Sequence, residues 1–419
     1  MKHYLNYVSI PIDKGTINLK SRPRALPFLS SSRNEQAYIN YYQSFIEATI
    51  RMEVAGQATN NNVYLVLKKP HNTIIEKMDG SFSFIDPTSG QELGVDISEN
   101  IADESFYRAA LDCCFCNRDK QVLDDTCPVW NGCDNYYKKS SSDADLTFRP
   151  FTENLQYTNN TATSSCEVIY KARIPMRLLT GFAARNAFLL TRNFVTKLYF
   201  NDYTTFVEKL VLSGANKTTF NVFEITNLDF YYDQTILGPD EADIFDSTLL
   251  NIPSTKIERG MTSVTMNGNN ETRVKFNDTL NFSPKMMVMF FTDENNNLAN
   301  LVKLSPKYFK ISTGGETTIN PAFNPESSNA WPDYRLWAMT KQALDQNNQP
   351  CLNYENWMNA NRFYIFSFAE NFSLLDNNNY INYELRFNKD GSGPTIPDKI
   401  NIHRVYLKDY LTVFESQTE

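Results

Sequence analysis

The sequence predicts an all-β protein of two domains, and three observations carry that expectation. The chain has 419 residues, and because single cores stop growing at roughly 250 to 300 residues, two units of about 200 each are expected. Its aromatic content is 13%, with 29 Phe and 23 Tyr. Long runs of Ala, Leu, Glu and Lys are scarce, so the composition favours pleated surfaces and polar loops over helices. The third observation is the stretch from Cys166 to Phe200, where Val168, Tyr170, Ala172 and Ile174 alternate with Glu167, Lys171 and Arg173. That is the period-two signature of a half-buried strand.

In chain order, residues 1–44 read as an N-terminal arm. Pro11, Pro23 and Pro27 punctuate it, Ser30 to Ser32 form a polar hinge, and Tyr4 to Ile10 make an apolar tip. Such an arm docks on a neighbouring subunit or serves as an edge strand of its own domain. The first strong strand is Phe45–Val54, where Ile46, Ala48, Ile50, Met52 and Val54 alternate with charged and hydroxyl residues. Further strands are expected over Val63–Lys68 and Ser81–Asp86. Between Ile101 and Cys114 the period changes: Phe106, Ala109, Ala110, Cys113 and Cys114 recur at helical spacing, with Ser98 as N-cap. Residues 117–165 read as a long polar loop anchored by Trp130.

The strand at Val168 ends at Pro175, which cannot donate to a ladder. Leu178, Leu179 and Phe182 then form an apolar turn expected to plug the end of a barrel, and the chain is extended again from Phe188 to Phe200. Phe220–Tyr232 is a strand in which Val222, Glu224, Thr226, Leu228 and Phe230 alternate against Phe223, Ile225, Asp229 and Tyr231. Strands follow at Thr262–Met266, Glu271–Phe276 and Met286–Thr292. The last is apolar on both faces and therefore expected to be fully buried. Residues 332–345 carry a helical stripe of Tyr334, Trp337, Lys341 and Leu344 that suits core packing. Phe363–Phe368, Tyr380–Phe387, Ile400–Leu407 and Leu411–Phe414 complete the strands.

Chemistry is harder to find. Lys plus Arg number 40 against 48 Asp plus Glu, a formal charge of −8. With no Lys/Arg block, direct sequence-specific nucleic-acid binding is not expected. No signal-peptide core or span of about 18 apolar residues occurs, so synthesis in the cytosol or nucleus is expected. The sequons at Asn159, Asn216, Asn270, Asn277, Asn281 and Asn371 are then left unmodified. Cys113, Cys114, Cys116, Cys127 and Cys133 cluster without paired C-x-x-C knuckles. Zinc, a late disulfide and free thiols all remain open, with free thiols the plainest reading. The acidic run Asp240, Glu241, Asp243 and Asp246 lacks the EF-hand pattern and reads as a solvated loop. His3, His71 and His403 stand in unrelated contexts, and no nucleophile elbow, phosphate loop or zinc-protease helix is present. No catalytic, cofactor-binding or metal residue is therefore assigned, no cofactor is expected, and an enzyme is not expected.

The order of features resembles the double jelly-roll, hexon-like major capsid proteins of double-stranded DNA viruses, particularly the polinton and adintovirus group. The resemblance rests on the entry strand Phe45–Val54, the short helix near Phe106–Leu111, the segment IPMRLL at Ile174–Leu179 and the strand FNVFEITNLDFYY, which would link the barrels. It continues through MMVMFFT, SPKYFKI at Ser305–Ile311 and the closing pair YINYELRF and INIHRVYLKDYLTVF. It implies two antiparallel eight-stranded jelly-roll barrels side by side, with short helices in the connecting loops: 45–214 the first, carrying the loop 117–165, and 215–419 the second with a C-terminal tail.

The implied function is a structural capsid protein that self-assembles as pseudo-hexameric homotrimers into an icosahedral shell, with loops 117–165 and 312–332 facing outward. Trimer contacts are expected on the barrel sides, and lattice contacts on the arm and tail. Its partners would be copies of itself and minor capsid or penton proteins. An internal membrane and assembly in the nucleus after synthesis in the host cytoplasm are open alternatives within a virion location. Two other classes compete: a minor capsid or single jelly-roll protein, and a glycan- or receptor-binding β-sandwich using Trp130, Trp331 or Trp357. A carboxylate-dependent β-sandwich hydrolase is a further alternative.

Overall fold

A computed structural model describes residues 7–13, 16–20, 25–31, 37–59, 63–85, 92–96, 101–115, 155–184, 188–236, 251–267, 271–296, 306, 308–313, 337–338, 340–341, 354, 357, 363–368, 380–387, 397–413 and 415–416. The chain opens with β1 (Tyr7–Asp13), β2 (Ile17–Asn18), β3 (Ala25–Ser31), β4 (Ala37–Ala55), β5 (Val63–Leu67), β6 (Ile75–Ile85) and β7 (Glu92–Asp96). Helix α1 (Glu104–Phe115) precedes β8 (Leu155–Asn160), β9 (Ser165–Pro175) and β10 (Phe188–Phe200). Helix α2 (Tyr203–Phe206), β11 (Val207–Leu212), β12 (Ala215–Lys217) and β13 (Val222–Ile236) close the first half. The second half holds β14 (Asn251–Thr265), β15 (Thr272–Thr279), β16 (Met286–Asp293), β17 (Tyr308–Thr313), β18 (Tyr364–Ser367), β19 (Tyr380–Phe387), β20 (Lys399–Val413) and β21 (Glu415–Ser416).

Strand pairing is nested in both halves. In the first, β4 pairs with β13, β5 with β11, and β6 with β10, all antiparallel. In the second, β14 pairs with β20, β15 with β19, and β16 with β18. First with last, second with second-last, third with third-last is a long hairpin rolled upon itself, the winding of a jelly roll. The second half separates into two sheets, ordered β14-β20-β16-β18 and β15-β19-β17. Successive strands alternate between them, as a two-sheet sandwich requires. In the first half β4, 19 residues long, is the spine. It carries β13 on one edge and β9 on the other, and β8 extends the sheet beyond β9.

The alternation along β9 holds as expected, with Val168, Tyr170, Ala172 and Ile174 all buried. Along β13 it breaks. The register shifts between Ile225 and Asn227, so Phe223 and Ile225 face the core and, after one extra residue, Leu228, Phe230 and Tyr232 do. A β-bulge inverts the facing of everything beyond it, and no period-two count can anticipate that. Met286–Thr292 is buried throughout, as its composition predicts.

Several expectations need correction. The strand at 222–236, expected to link the barrels, pairs antiparallel along the length of β4. Of the two readings of the arm, the edge strand is the one seen: β1 and β2 pair with β13, and β3 with β10, which offer backbone edges to residues that sequence alone cannot pair. The tail returns as well, with Glu415 and Ser416 opposite Gly94 and Leu93 of β7. The expected loop 117–165 ends early, since β8 forms a hairpin with β9. Ser98, the expected N-cap, lies outside the described residues; α1 begins at Glu104 behind Asp103 in the left-handed region, φ 58°.

Candidate functional site at the seam of the two sandwiches

For a chain whose expected work is assembly, the functional geometry is whatever fixes one sandwich against the other. That seam is built by α1 and the 3-10 turn Gly181–Ala184 on one side, and by β14, β16 and β20 on the other. Residues 104–111 of α1 are all buried. A helix covered on every side must have each polar group answered. Arg108 donates to Glu104 at 2.6 Å one turn back, and its guanidinium also reaches the Thr255 carbonyl of β14 at 3.5 Å. Asp112 takes a bidentate pair from Arg177, Nε at 2.9 Å and Nη2 at 3.3 Å, which ties the helix to the turn after β9.

The strands facing the helix explain their own composition. His403 of β20 stacks on Phe290 of β16 at 4.8 Å and meets Phe106 at 5.5 Å and Tyr107 at 5.8 Å, so Phe290 and His403 point into the seam. The next residues point the other way: Phe291 packs on Phe387 at 5.5 Å, and Tyr406 bonds Tyr383 at 2.6 Å, both in the sheet of β15, β19 and β17. MMVMFFT is apolar on both faces because it is the middle layer of three. One face meets its partner sheet; the other meets the first sandwich.

His403 is fully enclosed. The Tyr107 hydroxyl lies 3.2 Å from Nδ1 and Thr292 Oγ1 lies 2.9 Å from Nε2. Thr292 passes its own proton to Asp293 O at 3.0 Å or Asn296 Oδ1 at 3.2 Å, so it accepts from Nε2–H while Tyr107 donates to Nδ1. That network suits the neutral ring. Burial, with Arg404, Lys69 and Arg259 nearby, pushes its pKa down to about 3. His71, whose Nε2 donates to the Arg173 carbonyl at 2.5 Å, is held down to about 4, chiefly by burial. Both rings are structural hydrogen-bonding groups and neither is poised for proton transfer near neutrality.

Gly181 sets the closeness of the seam. A Cβ there would stand 1.9 Å from the Thr255 carbonyl oxygen, a backbone atom that cannot swing aside. Gly181→Ala is therefore expected to destabilise the chain by about 1–3 kcal/mol or more by forcing the sandwiches apart. A thermal unfolding curve that splits into two transitions, or a midpoint lowered by several degrees, would show it; an unchanged curve would refute the close approach. Leu178, Leu179 and Phe182, expected to plug a barrel end, are buried, with Phe182 against Tyr41 of β4 at 5.5 Å.

The remaining candidates scatter. Of the cysteine cluster, Cys114 is buried in α1, beside Cys113 on the same helix; Cys116, Cys127 and Cys133 lie outside the described residues. Asp240, Glu241, Asp243 and Asp246, and Trp130 and Trp331, lie outside them too. Trp357 is fully buried and donates Nε1–H to the Phe363 carbonyl at 2.7 Å, and Trp337 packs beside it at 5.7 Å. Core packing was the expected role of Trp337; Trp357 shares it and is not available to a sugar. Among the described residues, no group of three His, Cys, Asp or Glu could hold a metal ion, and no helix is long and apolar enough to cross a membrane. Sequence reasoning missed the seam itself, although a helix period flanked by strands and a strand apolar on both faces were its visible signals.

No family model matches this sequence, and no curated protein does. Solved structures do. A chain in the cryo-EM structure of the Sputnik virophage superposes with a TM-score of 0.62 at 10% identity, over 99% of this chain and 89% of that one. The STIV MCP (TM-score 0.41, 10% identity, 98% of each chain) and the PBCV-1 virus capsid (0.45, 11%, 100% of this chain and 98% of that one) also match, too loosely to constrain the fold. Together with the nested pairing in each half, the virophage superposition shows the fold: a double jelly roll.

Proposed function

We propose that this double jelly roll is a structural capsid subunit, not an enzyme, and that it assembles as a homotrimer in which six sandwiches form a pseudo-hexagonal unit of an icosahedral shell. One observation carries the reading: two sandwiches of the same winding are locked side by side by a seam in which Phe106 and Tyr107 of α1 pack and hydrogen-bond on His403 of β20 and Gly181 closely approaches the Thr255 backbone. A chain with two similar units needs only threefold symmetry to present six similar edges, and closed cyclic symmetry is the common solution for homo-oligomers. The first jelly roll closes with β13 at Ile236 and the second opens with β14 at Asn251. Its place is the virion, with minor capsid or penton proteins as further partners. A minor capsid role is the second reading; the burial of Trp337 and Trp357 speaks against a glycan-binding role for those two residues.

Light scattering during size exclusion tests the proposal. The expected mass is three times 48.2 kDa, about 145 kDa, as a closed threefold ring requires. A monomer at every concentration up to about 100 μM, well above the dissociation constants of stable oligomers, would overturn it.

A further inference from the structure

We infer that the outer face of the β15-β19-β17 sheet of one copy docks on the outer face of the β4-β9-β13 sheet of a second copy, through inverse charge constellations centred on Glu384 and Arg51. The inference rests on the capsid reading and names the two faces that meet.

Among the described residues, the layer order leaves the first face open. The β14-β20-β16-β18 sheet is covered on one side by α1 and on the other by β15, β19 and β17. The far side of that last sheet carries the residues that alternate away from the core. Register places Lys275, Glu384 and Lys310 in one row across the three strands, and Arg273, Arg386 and Tyr308 in the next. Glu384 is therefore ringed by cations, with Lys275 at 3.6 Å and Arg386 at 3.2 Å. Arg273 and Arg386 stand directly opposite each other, an arrangement that destabilises a sheet unless something offsets it. Glu271 answers Arg273 at 2.6 Å, while Arg386 Nε has no hydrogen-bond partner among the described residues. Among the described residues, four cations thus face two carboxylates, in a chain whose formal charge is −8. Lys275 and Arg273 are 73% and 61% exposed.

The second face is the inverse. Arg51 is ringed by Glu167 at 2.6 Å, Glu224 at 3.0 Å and Glu53 at 3.8 Å, drawn from β9, β13 and β4. Glu53 and Glu167 are direct cross-strand partners, again a like-charge pair. Farther along, Glu47 faces Arg173 and lies 3.8 Å from Lys171, so the excess of negative charge sits at the Arg51 cluster. Both constellations lie on pleated sheet faces, each spanning three strands, and each carries the surplus the other lacks. A contact between two different faces of identical chains is heterologous; it closes into a ring when the rotation permits, which is the geometry a trimer uses. Charge complementarity of this kind fixes partner and register, and like charges forced together suppress association.

The test is a charge-reversal cycle on the full chain, with self-association followed by sedimentation equilibrium. Lys275→Glu with Lys310→Glu should raise the dissociation constant at least about tenfold, as should Glu167→Lys with Glu224→Lys. All four changes in one chain should restore it to within about threefold of wild type, and added salt should weaken wild type and the fourfold variant alike. Association indifferent to either pair of reversals, or no recovery in the fourfold variant, would overturn the docking while leaving the trimer standing. A wild-type chain that never associates would overturn the capsid reading itself. Retention of wild type, but not of the lysine-reversed variant, on double-stranded DNA with unchanged self-association would assign the basic face to a polyanion and likewise overturn the inference.

Discussion

Asp278→Ala is expected to destabilise the second sandwich by about 3–5 kcal/mol, because it strands a buried arginine. Arg404 is 1% exposed and donates to both Asp278 oxygens, Nε at 2.6 Å and Nη2 at 2.8 Å. Nη1 bonds Thr262 Oγ1 at 3.1 Å and the Ile402 carbonyl at 2.9 Å, and the guanidinium lies over Phe276 at 4.2 Å. The Tyr406 hydroxyl donates to the same carboxylate and meets the Tyr383 hydroxyl. This network joins β14, β15, β19 and β20, so it clamps the two sheets of the sandwich across its interior. Gly260 leaves the room for it, since a Cβ there would stand 2.6 Å from Arg404 Nη2 and from Asp278 Oδ2. Removing the carboxylate leaves the charge with its desolvation uncompensated, whereas replacing both partners by apolar residues need not cost stability. A denaturant series on Asp278→Ala, Arg404→Met and the double variant should therefore show strong coupling. Additive losses would mean that the pair does not hold the sheets.

The chain should also lose stability steeply below pH 6.5. His71 and His403 have folded-state values of about 4 and about 3, below the ordinary 6.5. Between these limits the unfolded chain binds the protons that the folded chain refuses. Stability from these two groups is thus complete above the unfolded value and falls as pH drops towards the folded ones. Each contributes a slope of about 1.4 kcal/mol per pH unit, so moving from pH 7 to pH 5 should cost about 4 kcal/mol. Urea midpoints at the two pH values measure this directly. His403→Gln should lower stability at pH 7, since it disturbs the Tyr107–Thr292 network, yet reduce the acid-side slope by about half. Equal midpoints at pH 7 and pH 5 in the wild type would show that the two rings are not held neutral.

The strands legible in the sequence are those in which one face is core and the other solvent. β9, with its buried set of Val168, Tyr170, Ala172 and Ile174, and β19, buried at every second residue, are of that kind. There the side-chain period records the environment directly. β16 was legible for the opposite reason, since a strand buried on both faces can hold nothing polar in its middle. The helix at α1 was found by its period; Asp103, just before it, takes a left-handed conformation that no pattern of apolar residues reports.

Partnership is where sequence reading stopped. Residues 1–44 read as an arm or an edge strand because they have no local partner, and it is β13 and β10, some 200 residues away, that supply one to β1 and β3. β13 follows β12 in the chain, yet pairs with β4. The charge faces at Arg51 and Glu384 need three strands each, and register between distant strands is not written in any one of them.

The sequence by itself determined the class of fold, the faces of its strands and the need for a middle layer, because burial is recorded residue by residue in hydrophobic period. Only the tertiary structure decided which strand closes which sandwich, that Gly181 and α1 form the seam, and that the basic and acidic faces lie on different units. Those features depend on contacts between residues far apart in the chain, whose identity is fixed by the hydrogen-bond register of the whole sheet.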